Sequence, residues 1–142
     1  AERLLDSKIK MMMGDSENLP FQNDSFDAIT VAFGVRNFED LEKGLAEIYR
    51  VLKPNGTFVI LETSVPTKPI FKTGYSFYTK FILPTIGKVF SKDQSAYSYL
   101  CESASKFPYG EALNNILRKI GFMSVEHLPQ TFGVATIYKA SK

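Results

Sequence analysis

The sequence predicts an α/β sandwich with parallel strands. Three observations lead there. The first residues alternate as strand, loop, strand, helix, strand. Phe58-Val59-Ile60-Leu61 is an unbroken apolar run, which suits a strand covered on both faces. Near the C-terminus, Leu113, Ile116, Leu117 and Ile120 recur at helical spacing ahead of a strand pair.

Taken in order, residues 1–7 suit the tail of an amphipathic helix, and residues 8–13 a short, mostly apolar strand ended by Gly14-Asp15. Pro20 and Gln22-Asn23-Asp24-Ser25 mark residues 16–25 as loop. Residues 26–33 form a second apolar strand, and Gly34-Val35-Arg36-Asn37 a loop after it. Asp40 can cap a helix carrying Leu41, Leu45, Ile48 and Leu52. Lys53 precedes Pro54 and so leaves helical space. Asn55-Gly56 supplies the positive φ of a tight turn, and residues 57–62 are the third strand. Residues 70–90 read as one or two aromatic helices broken near Gly74 and Pro84. Asp93 can cap a helix with Tyr97, Leu100, Cys101 and Ala104, which Phe107-Pro108-Tyr109-Gly110 breaks. Residues 111–120 form a helix with Gly121 at its C-terminal cap. Residues 122–128 and 131–140 are strands about Pro129-Gln130, expected as an antiparallel hairpin.

Composition narrows the functional classes. The chain has 142 residues, 44% apolar and 23% charged, which fits one domain with an ordinary core. A net charge of +2 and scattered basic residues argue against a nucleic-acid partner. Apolar runs are only a few residues long, too short to span a bilayer. Lone Cys101 favours a reducing, cytoplasmic compartment. Ala1-Glu2-Arg3-Leu4-Leu5-Asp6 reads as the middle of a helix, so the chain is expected to be part of something longer. His127 has no partner at metal-ligand spacing, and no metal is expected.

Arg50-Val51-Leu52-Lys53-Pro54-Asn55-Gly56, with Leu61-Glu62-Thr63-Ser64, resembles a signature of the ubiquinone/menaquinone biosynthesis C-methyltransferase family. Gly14-Asp15-Ser16-Glu17-Asn18-Leu19-Pro20-Phe21 is similar to that family's loop after its third strand, and Phe33-Gly34-Val35-Arg36-Asn37 to the loop after its fourth. Leu83-Pro84-Thr85-Ile86-Gly87, Ala96-Tyr97-Ser98-Tyr99-Leu100 and Glu102-Ser103 are similar to its substrate-side insertion. The resemblance implies a partial Rossmann-like class I methyltransferase sheet with helices on both faces and the first two strands missing. Residues 1–142 would then be the C-terminal portion of a single methyltransferase domain. The chain departs from the family at Asn55, where glycine is usual, and at Ala32, where relatives often carry serine near the cofactor.

The resemblance also implies a site. The cofactor would be S-adenosylmethionine, and the substrate a prenylated benzoquinol or naphthoquinol. Asp15 and Ser16 would flank the adenine. Ala32, Phe33 and Gly34 would lie beside the methionine part. Spacing alone favours reading Asp15 as a turn cap, and only the resemblance favours the cofactor role. Arg36 is the one basic residue in its loop, and a cation there can hold the oxygen of an electron-rich ring or order a water that takes the proton. It reads equally as a loop brace paired to Glu39, Glu62 or another carboxylate. Asn37 is either a substrate contact or a cap. Tyr78, Phe81, Tyr97 and Tyr99 are the candidates for a quinone pocket, against the plain alternative that they are core. Glu62 suits a supporting role, and Asp24 and Asp27 are expected to be structural.

The chain therefore reads as part of a quinol C-methyltransferase, inactive alone. The rival readings are a non-catalytic quinone- or membrane-binding module, and a nicotinamide-dependent oxidoreductase fragment. Lys72, Lys80, Lys88 and Lys92 could touch anionic lipid at the inner face of a membrane, against the plainer alternative that they are a solvated face. Without its family neighbours, strand 26–33 would be an apolar edge, so a homodimer or strand exchange through it is expected, with residues 8–13 displaced.

Overall fold

The structure, a computed structural model, describes residues 9–66, 69–77, 103 and 106–142. Its centre is a four-stranded sheet of β1 (Phe26–Ala32), β2 (Leu52–Thr63), β3 (Met123–Gln130) and β4 (Ala135–Ser141), in the order β1-β2-β4-β3. β1 runs parallel to β2, whereas β4 is antiparallel to both β2 and β3. The sheet is thus mixed, not wholly parallel. The terminal hairpin inserts its second strand against β2 and leaves β3 at the edge.

Helix α1 (Leu41–Val51) starts where expected, because the Asp40 side chain accepts the Lys43 backbone N–H at 3.0 Å. It buries Leu45, Ile48 and Val51. Helix α2 (Pro69–Phe77) follows β2 in the chain. Helix α3 (Glu111–Ile120) has the predicted bounds and buries Leu113 and Leu117. Gly121 ends it at φ 123°, where a Cβ would strain, and its N–H reaches the Leu117 and Arg118 carbonyls. Residues of α1 and α3 share one core with Phe58, Ile60, Phe122, Tyr138 and Ala140. Cross-strand pairs Phe58–Ala140, Ile60–Tyr138 and Glu62–Thr136 all lie on this face. Val59 and Leu61, on the opposite face, are only half-buried. The unbroken apolar run therefore overstates how evenly β2 is covered.

Four further expectations need correction. Residues 9–13 form no strand, and Ile9, Met11, Met12 and Met13 are exposed. An apolar run stays a strand only where a partner takes its backbone groups. The strand expected over residues 57–62 spans Leu52–Thr63 instead. The turn lies within it as a bulge: Phe26 pairs with Leu52 and Ala28 with Thr57, so Lys53–Gly56 loops out opposite a single residue of β1. Asn55 takes φ 64° there, the positive φ that the sequence predicts. α2 runs through Gly74 unbroken. The hairpin turns at Thr131–Gly133, with Thr131, Phe132 and Gly133 all at positive φ, and not at Pro129-Gln130. Pro129 stays in edge strand β3, where its missing N–H is tolerated. The breaks or caps expected at Pro84 and Asp93 lie outside the described residues.

Candidate functional site

The carboxyl ends of β1 and β2 meet side by side, with Ala32 opposite Leu61. Phe33 continues the ladder by donating to the Leu61 carbonyl at 2.8 Å, then turns the chain outward at φ 53°. A single 3-10 turn, Val35–Asn37, buries Val35. It returns Arg36 toward the sheet, where Arg36 Nη1 donates to Glu62 Oε1 at 2.6 Å and to the Phe33 carbonyl at 2.9 Å. Glu62 is fully buried because it shares the inward face with Phe58 and Ile60. Its carboxylate also accepts the Thr63 backbone N–H at 2.8 Å. Burying a carboxylate requires such partners. Arg36 Nε is buried too, and it has no hydrogen-bond partner among the described residues.

Beside this pair is a cavity of about 370 Å³ lined by Val35, Arg36, Phe38, Leu41, Phe107 and Pro108, with Ser103 and Lys106 at its wall. Phe38 forms its wall by lying over α1 at Gly44. A Cβ at Gly44 would come within 2.3 Å of the Phe38 ring, so only glycine admits this packing. The lining is largely apolar, with Arg36, Ser103 and Lys106 as its polar groups, a combination that suits a flat ring bearing an oxygen.

The second segment is the turn at Asp15, which bridges to Asn18. No strand precedes Asp15 among the described residues, contrary to expectation. Asp15 is exposed, and its Oδ1 accepts the Glu17 N–H at 2.9 Å. Ser16 is half-buried beside it. Arg50 and Glu47 on α1 grip the rest of this loop. Arg50 donates to the carbonyls of Leu19 and Phe21 and to Asn23 Oδ1, while Glu47 accepts the Leu19 N–H. The hydrogen bond from Arg50 is the main cause that holds the Glu47 carboxyl below its ordinary value, and the same bond raises Arg50.

The structure therefore brings Ala32, Phe33, Gly34, Arg36 and Asn37 together at one sheet end. Asn37 is exposed and closes the 3-10 turn by donating its N–H to the Gly34 carbonyl at 3.0 Å. Tyr78, Phe81, Tyr97 and Tyr99 lie outside the described residues. Phe107 and Pro108 are legible in the sequence only as a helix break, and the cavity they line comes from long-range packing. Asp27 lies at the other end of β1, bonded to Lys53 at 2.8 Å, which lowers its pKa. Asp24 is a turn residue at φ 55°, paired to Lys142. His127 Nδ1 faces Asn114 Nδ2 at 2.8 Å. Among the described residues no cluster of His, Cys, Asp or Glu is placed to hold a metal ion. No helix among them is long and apolar enough to cross a membrane.

Solved structures share this fold. A SAM-dependent methyltransferase from Thermotoga maritima, described as a possible histamine N-methyltransferase, matches with a TM-score of 0.60 at 20% identity, covering 91% of this chain and 62% of that one. A SAM-dependent methyltransferase from Aquifex aeolicus matches with a TM-score of 0.58 at 16% identity, covering 93% of this chain and 54% of that one. The architecture is that of the Rossmann-like class I methyltransferases. The model of the ubiE/COQ5 methyltransferase family matches residues 1–142, and the chain belongs to that family. It is 49% identical over 138 residues to the demethylmenaquinone methyltransferase of Bacteroides fragilis, covering 97% of this chain and 56% of that protein. It is 46% identical over 135 residues to the ubiquinone/menaquinone biosynthesis C-methyltransferase UbiE of Citrifermentans bemidjiense, covering 95% and 57% respectively. The chain thus spans about half the length of the curated relatives it matches.

Proposed function

We propose that the chain is a portion of a methyltransferase domain that uses S-adenosylmethionine to methylate a ring carbon of a prenylated quinol. One observation carries this reading: Arg36, held by buried Glu62 and with its Nε unpartnered among the described residues, lines a largely apolar cavity at the carboxyl ends of two parallel strands. Ligands of open α/β sheets bind at such ends. Two features suit the cofactor. Asp15 Oδ2 has no partner among the described residues, so it can accept from the adenine amino group. Phe33 turns the backbone outward at positive φ, and Ala32 and Gly34 flank it without bulk.

S-adenosylmethionine, when bound, supplies an electrophilic methyl group. The residues of the chain prepare the other reactant. Arg36 holds the ring oxygen and stabilises its negative charge, which favours the ring in its nucleophilic, deprotonated form. Glu62 fixes the guanidinium and balances its charge. Val35, Phe38 and Phe107 exclude water from the ring. Asn37, and Tyr78, Phe81, Tyr97 and Tyr99, complete the substrate contacts in this reading.

In the same reading the complete protein works in the cytoplasm with peripheral contact at the inner membrane face, whereas this chain by itself pairs with a second copy, or exchanges strands with it, through the β1 edge. The test of function is transfer of labelled methyl from S-adenosylmethionine to demethylmenaquinol. The protein used is this chain completed with the residues of the Bacteroides fragilis relative that lie outside the match. Methylated quinol is expected, and cofactor binding without transfer to any prenylated quinol contradicts the reading. Light scattering on this chain alone checks the pairing: a strictly monomeric species at high concentration rules it out.

A second reading, a non-catalytic quinone- or membrane-binding module, is favoured by one observation. Phe71 stacks on exposed Phe132 at 4.6 Å beside an apolar cavity of about 340 Å³. Quinone or vesicle binding without methyl transfer supports it.

A further inference from the structure

Helix α1 lacks half of its own N-terminal cap. Asp40 accepts the Lys43 N–H, but the reciprocal acceptor for the Asp40 N–H normally comes from Glu or Gln at the position of Lys43. Lysine cannot accept. Glu17, from the other loop, replaces it: its Oε1 accepts the Asp40 N–H at 2.7 Å, and its Oε2 lies 3.7 Å from Lys43 Nζ. A carboxylate is also favourable at a helix N-terminus. The Glu17 side chain is only 12% exposed, whereas its partners Asp40 and Lys43 face solvent. Through its own backbone N–H, Glu17 holds Asp15 Oδ1. One residue thus ties the Asp15 turn to the start of α1, immediately after the segment that carries Arg36.

We propose that Glu17 is a positioning residue that couples the two loops of the site, setting Asp15 for the cofactor and steadying the segment that leads into α1. This rests on the reading of Asp15 as a cofactor contact. The tie is local, because Leu19 is held separately by Glu47 and Arg50.

The test compares Glu17→Ala and Glu17→Gln by two measurements. Amide hydrogen exchange on this chain reads the tie itself. In Glu17→Ala, exchange at the Asp40 amide rises by about tenfold or more while Leu19 stays protected, and Glu17→Gln, which keeps an acceptor, stays within about threefold. Unchanged exchange at Asp40, or an equal rise at Leu19, overturns the proposal. Calorimetry with S-adenosylmethionine on the completed protein reads the coupling. Affinity falls about tenfold in Glu17→Ala and is restored in Glu17→Gln. Unchanged affinity with Asp40 exchange raised overturns the coupling. If the protein with Glu17 intact does not bind S-adenosylmethionine, the functional reading fails, and the exchange result alone decides the tie.

Discussion

Two arginine–glutamate pairs flank the site and use the same chemistry in opposite ways. Arg50 and Glu47 lie on one helix, partly exposed, and each N–H of the Arg50 guanidinium has a hydrogen-bond partner in Glu47, Leu19, Phe21 or Asn23. Arg36 and Glu62 join two strand ends, and the pair is buried, yet Arg36 Nε is left without a partner among the described residues. The saturated pair anchors a loop. The unsaturated pair retains donor capacity beside a cavity, which is where a ligand can be recognised. An arginine's burial therefore says less about function than whether its donors are used.

The contrast can be broken from either side. The largest effect is expected for Glu62→Ala, which leaves Arg36 buried without its counter-charge and costs about 3–5 kcal/mol by urea denaturation. Arg50→Ala lowers the melting temperature by a few degrees. It also opens residues 19–23 to limited proteolysis, because their carbonyls lose their donor. A smaller effect is expected from pH. Glu47 has a folded pKa below its ordinary value of 4.5, so its contribution is complete above that value and is lost as pH falls through the folded pKa. Glu47→Gln should therefore flatten the acid side of a stability–pH profile. The smallest effect is expected for Lys53→Ala, whose pair with Asp27 is solvent-exposed, and the melting temperature should not change.

The fold is legible wherever local pattern determines structure. Asp40 caps α1, Gly121 ends α3, and apolar positions of α3 mark its inward face. Local pattern fails where a partner strand decides. Residues 9–13 are apolar but unpaired, and Lys53–Gly56 looks like a terminal turn although β2 continues through it. At the site, sequence leaves Arg36 with several possible carboxylate partners. The choice of Glu62 follows from strand alternation, which turns it inward with Phe58 and Ile60. Glu17 is invisible as a cap because its partner, Asp40, is far along the chain.

If the donors of Arg36 serve a bound ring oxygen, Arg36→Lys in the completed protein should disable the chemistry, since lysine keeps the charge but not the planar array of donors. The kcat for methyl transfer is then expected to fall about a hundredfold or more, with S-adenosylmethionine affinity held within about threefold. An Arg36→Lys protein that keeps its kcat would show that the guanidinium has no such role.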